Sequence, residues 1–336
     1  MKSSEEKQDH DREIHGTTDA DAVSRRFRQE PAAAGVMSFE LRSPDAAPLP
    51  PFTAGSHIDL ELPNGAIRQY SLCNDPAERE RYEIGILLEP NGRGGSRSAH
   101  ENLARGDTVR ISHPRNHFPV VPAPHFLLIA GGIGVTPLLS MADHLAAGGD
   151  SFELHYCARS PERTAYLNRL RTASYASRVH CHFDDGDAAQ RLQAERLFAD
   201  SPRNTRLYVC GPKGFMDFVT GAARAAGWPE SHIHFEYFVG TTAATADDSS
   251  FEVMLASTGQ VVTVAGDRTV AQALNDNGIE VALSCEQGIC GSCAMRVLDG
   301  VPDHRDLYFS PDEHVANDRF TPCCSRAKSA RLVIDF

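Results

Sequence analysis

The stretch CEQGICGSC, Cys285 to Cys293, places three cysteines within nine residues. Four residues separate Cys285 from Cys290, two separate Cys290 from Cys293, and a pair, Cys323 and Cys324, follows further on. Three thiolates on one tight loop can surround a metal centre. C-x4-C-x2-C with a distant fourth cysteine is the spacing of a plant-type [2Fe–2S] cluster. A structural zinc site favours closer C-x2-C pairs, and inert buried cysteines need no fixed spacing, so the iron–sulfur reading is preferred. Gly288 and Gly291 within the loop let the chain bend and let backbone N–H groups approach the sulfurs.

A second constellation is LLIAGGIGVTPLLSM: an apolar run, a turn containing Gly131, Gly132 and Gly134, then a helical pattern. Glycines there let the backbone approach a pyrophosphate at a helix N-terminus, and Pro137 is tolerated in the first helical turn. The later YVCGPKGFM repeats the strand-to-turn theme at what reads as the edge of the same sheet, with Cys210, Gly211 and Pro212 positioned to approach a nicotinamide from the other side. An acidic residue ending the second strand of this unit would favour NADH. That strand ends instead in CARSPER, with Arg159, so NADPH stays open.

A third lies in RQYSLCND. Arg68 and Tyr70, two apart on a strand, share one face. A guanidinium suits a phosphate, an aromatic ring suits an isoalloxazine face, and the Ser71 hydroxyl suits a ring nitrogen. The loop NGRGGSRS adds backbone amides and Ser96 as a phosphate cradle.

The elements that must position these residues fall into blocks. Residues 1–20 are charged and aperiodic and read as a disordered tail. Short alternating runs (HIDLELPNG, YEIGILLE, DTVRIS) over 21–122 read as a small antiparallel β-barrel. Buried apolar strands leading into helices over 123–238 read as a parallel α/β unit. The small, acidic stretch 239–250 reads as a linker able to span roughly 20 Å. Residues 251–336 hold two strands, a helix, the cysteine loop and a closing strand. Asp299, Asp303 and Asp306 read as a solvated acidic face near the loop.

With 336 residues, 41% hydrophobic and 23% charged, the chain has material for several cores. A net charge of −12 argues against nucleic acid or anionic membranes as partners. No run approaches a membrane span, the N-terminus carries no secretory core, and nine cysteines do not read as a secreted disulfide framework. A cytoplasmic protein is expected.

R-x-Y-S, GGIGxTP, CGP and the four-cysteine loop, in that order, resemble the phthalate dioxygenase reductase-like proteins, including vanillate O-demethylase reductases, of the ferredoxin–NADP reductase superfamily. The resemblance spans about residues 21–336. It implies an FMN-binding β-barrel, a Rossmann-like α/β nucleotide domain and a β-grasp ferredoxin domain. It also implies electron transfer from NADH through FMN and [2Fe–2S] to a Rieske-type terminal oxygenase. Carried over by position, Arg68, Tyr70, Ser71, Ile86, Leu87, Arg93, Gly95 and Ser96 would hold the flavin. Thr136 would sit between flavin and nicotinamide, and Phe238 where the nicotinamide stacks. Cys323 would be the fourth ligand beside Cys285, Cys290 and Cys293. A self-contained flavin reductase or NAD(P)H oxidase is the rival, disfavoured by a cluster at the end of the chain. An iron–sulfur redox sensor is disfavoured by the charge and by the flavin motif.

Overall fold

The computed structural model describes residues 22–238, 248–283 and 286–336. The tail over 1–20, most of the linker and Cys285 lie outside the described residues.

The first sheet is antiparallel and built from β1 (Ala22–Ala33), β2 (Val36–Arg42), β3 (Ser56–Glu61), β4 (Ile67–Ser71), β5 (Tyr82–Leu87), β6 (Thr108–Ile111) and β7 (Arg115–Asn116). Its order is β4-β3-β6-β1-β2-β5, with β7 paired to β3. Among the described residues, no continuous ladder closes the barrel. The two ends meet through the bridge between Leu72 and Ile84 and the bond from Cys73 N to Glu83 O at 2.8 Å. Phe39, Ile58, Leu60, Leu72 and Ile84 fill the interior with almost no exposure, as alternation along paired strands requires. Helix α1 (Gly95–Asn102) sits on this sheet, following Gly94, whose φ of 81° only glycine adopts without strain.

The second sheet is parallel. Its strands are β8 (Phe126–Gly131), β9 (Phe152–Ala158), β10 (Val179–Phe183), β11 (Arg206–Gly211) and β12 (Ile233–Tyr237), ordered β10-β9-β8-β11-β12. β8 is buried along its whole length, as a central parallel strand must be. Helices α2 (Val135–Gly148) and α3 (Leu167–Thr172) pack on one face, and α4 (Ala194–Asp200) and α5 (Lys213–Ala225) on the other. β11 is an interior strand beside β8, not the sheet edge expected from sequence, because the crossover after β10 returns the chain past β8. The GGIG and CGP turns are therefore neighbours on one side of the sheet rather than approaching from opposite sides.

The third sheet contains β13 (Phe251–Leu255), β14 (Val261–Val264), β15 (Met295–Asp299), β17 (Arg319–Phe320) and β19 (Arg331–Ile334). A short ladder joins β16 (Pro302–Asp303) to β18 (Arg326–Ala327). Helix α6 (Val270–Asp276) opens on a capping box in which Thr269 and Gln272 bond reciprocally at 3.1 Å. Ser310, Pro311 and Glu313 open α7 (Pro311–Ala316) in the same way. The end of the predicted linker is fixed to this unit, since Asp248 takes both guanidinium nitrogens of Arg305 at 2.8 and 2.6 Å. Among the described residues, no helix is long and apolar enough to cross a membrane.

Candidate functional site

A cavity opens where the three sheets meet. Arg68, Ser71 and Phe238, all singled out from sequence, line it together with His57, Gln69, Glu236 and Tyr237; Gln287 and Ile289 of the cysteine loop form the remaining wall. Strand β4 supplies Arg68, Gln69 and Ser71, and the end of β12 supplies Glu236 to Phe238. Tyr70 is not among the lining residues; it packs, partly buried, against the barrel core, where burial pushes its hydroxyl up to about 12. Ile86 is core, and its carbonyl oxygen bonds the His100 ring at 2.9 Å.

The polar groups of the cavity are unusual in two ways. His57 is buried, and that burial, aided by Arg115 and His117, holds its ring neutral with a pKa of about 3. Glu236 is half-buried, with its carboxyl against the Ser71 hydroxyl. Burial pushes it up to about 8, and its Oε2 has no hydrogen-bond partner. At neutral pH it is a protonated acid facing the cavity. Nothing in the sequence marked this residue beyond its place beside Phe238.

At the mouth, Arg68 Nη1 and Arg93 Nη1 converge on the carboxylate of Glu286 at 3.3 and 2.7 Å. Gly95 packs against Arg68, since a Cβ there would stand 3.0 Å from the Arg68 Cγ. The N-terminus of α1 has no side-chain cap, so its first amides remain available. Ser96 accepts from the Glu89 amide at 3.0 Å and keeps its own proton to donate. Two guanidinia, uncapped amides and a hydroxyl fit a phosphate group. The Glu286 carboxylate shows where the negative charge would lie.

The nucleotide turns are packed, not merely permissive. A Cβ on Gly134 would stand 2.3 Å from the Cys210 carbonyl oxygen, and one on Gly211 3.0 Å from the Gly131 Cα. These glycines let β8 and β11 approach each other. Only Gly132, at φ +55°, has open space above it, the condition for a ligand to come close. Thr136, 1% exposed, donates to the Ile133 carbonyl at 3.0 Å and meets Gly85 of the first sheet through its methyl. Cys210 is buried and Pro212 stands at the N-cap of α5. Arg159 is exposed beyond β9, and the Asp184 and Asp185 amides bond the carbonyls of Ala158 and Arg159 at 3.1 Å each. Asp184 and Asp185, just after β10, are thus held level with the tip of β9.

In the cysteine loop, Cys290, Cys293 and Cys323 are buried, and the Ser292 amide donates to the Cys290 sulfur at 3.4 Å. Cys323 lies within hydrogen-bond reach of the Cys293 thiol and the Gly288 amide. Cys324 bonds the Thr321 hydroxyl at 3.2 Å and the Ser325 hydroxyl at 3.9 Å, while its sulfur also meets the Cys323 thiol and lies against Gly288. Gly288 and Gly291 have φ of +68° and +70°, and a Cβ on Gly291 would strike the Tyr308 ring. Convergent soft thiols beside backbone donors fit an iron–sulfur cluster. Asp306 is not on a solvated face: it is 5% exposed and bonded by the Phe309 amide, the Ser325 hydroxyl and the His314 ring. Asp303 pairs with Arg305 at 2.9 Å, and Asp299 alone of the three is exposed.

Comparisons agree with this layout. Residues 253–328 match the family described as a 2Fe-2S iron-sulfur cluster binding domain, and residues 117–233 match the dimethylamine monooxygenase subunit DmmA-like N-terminal domain. The chain is 51% identical over 304 residues to a vanillate O-demethylase oxidoreductase of Pseudomonas sp. strain HR199, covering 90% of this chain and 96% of that one. It is 41% identical over 309 residues to the phthalate dioxygenase reductase of Burkholderia cepacia, covering 91% and 95%. A solved phthalate dioxygenase reductase, described as a modular structure for electron transfer from pyridine nucleotides to [2Fe-2S], superposes with a TM-score of 0.76 at 40% identity over 94% of this chain and 97% of that one.

Proposed function

The chain belongs to the phthalate dioxygenase reductase-like oxidoreductases, and from that premise we propose that it carries electrons from NADH through FMN and a [2Fe–2S] cluster to a Rieske-type terminal oxygenase. The observation that carries this reading is the shared cavity. Its walls combine Arg68, Ser71, Glu236 and Phe238 with Gln287 and Ile289 from the cysteine loop, so a flavin held there borders both the end of β12 in the nucleotide unit and the cysteine loop.

Arg68, Arg93, Gly95 and Ser96 hold the FMN phosphate. Ser71 and Glu236 present hydroxyl and carboxyl to the ring, and Tyr70, Ile86 and Leu87 shape its seat. Gly131, Gly132, Gly134 and Thr136 with Cys210, Gly211 and Pro212 orient the nicotinamide nucleotide, and Phe238 guards the position where its ring stacks. Cys285, Cys290, Cys293 and Cys323 ligate the cluster. Bound flavin supplies the conversion between a two-electron hydride donor and a one-electron acceptor. The protein's own share is placement, exclusion of water and the charge state of Glu236. NADH is favoured by Asp184 and Asp185 beside Arg159, since carboxylates bond a ribose hydroxyl and repel a 2′-phosphate.

Anaerobic titration of the purified protein with NADH and then NADPH tests the proposal. Flavin bleaching followed by a reduced-cluster EPR signal, with NADH the more effective donor, is the expected result. Bound zinc with no iron signal would leave a flavin reductase only. A preference for NADPH would reverse the nucleotide assignment.

A further inference from the structure

A group of ligand-type side chains lies outside the cavity and the glycine turns. On the face of the parallel sheet that carries α4 and α5, Leu127 and Ile129 of β8 belong to a buried apolar cluster. Their register partners on β9 are Glu153 and His155, and on β10 His180 pairs with His155. Where the apolar face should continue, it turns to carboxylate and imidazole. The ligand atoms of Glu153, His155 and His180 all lie within 4.8 Å of one another.

The hydrogen-bond chain through this group fixes its tautomers. His182 Nδ1 is 2.8 Å from the Gln190 carbonyl oxygen, which can only accept. The proton of His182 is therefore on Nδ1, and its Nε2 accepts from His155 Nδ1 at 3.0 Å. A neutral His155 then directs the bare Nε2 lone pair at Glu153 Oε2, 3.3 Å away. The His180 ring brings a third donor to the same two atoms. What suits two electron-rich atoms facing each other is a cation that both can ligate.

We propose that Glu153, His155 and His180 form a divalent transition-metal site, suited to Zn2+, on the margin of the nucleotide-binding sheet. The donor set of two imidazoles and a carboxylate matches zinc, with water in the fourth position. Zinc bonds of about 2.0–2.1 Å need the donors to close to roughly 3.3 Å from one another. His180 and Glu153 are on the surface and can make that movement, while His155 stays fixed. His182 is the outer partner that orients His155, the arrangement usual for metal-bound histidine. The bound ion ties the edge strand β10 to β9.

The test uses the holoprotein, cleared with EDTA and checked for unchanged flavin and iron content. It is then titrated with Zn2+ against a chromophoric chelator, and retained zinc is counted by mass spectrometry. One zinc per chain is expected, lost in H155Q and in H180A, and bound 10–100-fold more weakly in H182A. His180 is exposed, so H180A keeps the test valid where H155Q disturbs folding; unchanged flavin and cluster absorbance reports the fold in each variant. X-ray absorption at the zinc edge should show nitrogen and oxygen neighbours. No retained zinc, wild-type binding in both H155Q and H180A, or a sulfur shell from the cysteines would overturn the assignment.

Discussion

Replacing Glu236 by glutamine tests the reading of the cavity most directly. The two side chains have nearly the same shape, and only the wild type can ionise. Burial displaces the Glu236 titration from an ordinary 4.5 to about 8. At about 1.4 kcal/mol per pH unit, that displacement corresponds to roughly 5 kcal/mol of penalty on the ionised folded form. The folded state holds the proton over this window and the unfolded state does not, so stability falls as pH rises from about 4.5 and levels off above about 8. By pH 6 roughly 2 kcal/mol of it has been lost and by pH 9 all of it, leaving about 3 kcal/mol between the two. Urea unfolding of wild type and E236Q, followed by release of flavin fluorescence at pH 6 and pH 9, measures the difference. The wild type should lose about 3 kcal/mol more than E236Q across that interval. Parallel pH profiles, agreeing within about 0.5 kcal/mol, would mean that the carboxyl is ionised or solvated in the folded protein, and the argument for a protonated acid in the cavity would fail.

Other expectations follow from the same geometry. Cys323→Ser should abolish the reduced-cluster EPR signal, whereas Cys324→Ser, which removes a thiol bonded to Thr321 and Ser325, should retain it. Arg93→Ala should weaken FMN binding about 10- to 100-fold in a fluorescence titration, the loss of one charge-assisted bond worth about 1.5–3 kcal/mol; unchanged affinity would place the phosphate elsewhere. Gly134→Ala should destabilise the nucleotide unit by about 1–3 kcal/mol, because its new methyl meets the Cys210 carbonyl, a change read as a lower melting temperature. Gly132→Ala, with open space around it, should cost only about 1–2 kcal/mol of left-handed strain yet raise the KM for NADH.

The parts of this protein that were legible from sequence are those where a backbone requirement forces a residue type. Glycines at positive φ in the cysteine loop and the bare turn after β8 announce themselves because few other residues serve there. What stayed hidden depends on register and on pairs far apart in the chain. Glu236 looks like one polar position in an alternating strand. Its meaning comes from pairing with Cys210, which carries it beside β11 and over Ser71. Asp306 looks like surface charge until Ser325 and His314 close around it. The interior place of β11 follows from a crossover that no local pattern encodes. Glu286 is the sharpest case. It stands inside the cysteine motif, yet it spans 218 residues to Arg68 and 193 to Arg93. The same carboxylate occupies the cradle that fits a phosphate, so filling that cradle must displace it. On the proposed placement of the FMN phosphate, it and the cysteine loop would compete for one pair of guanidinia, which would link flavin binding to the position of that loop.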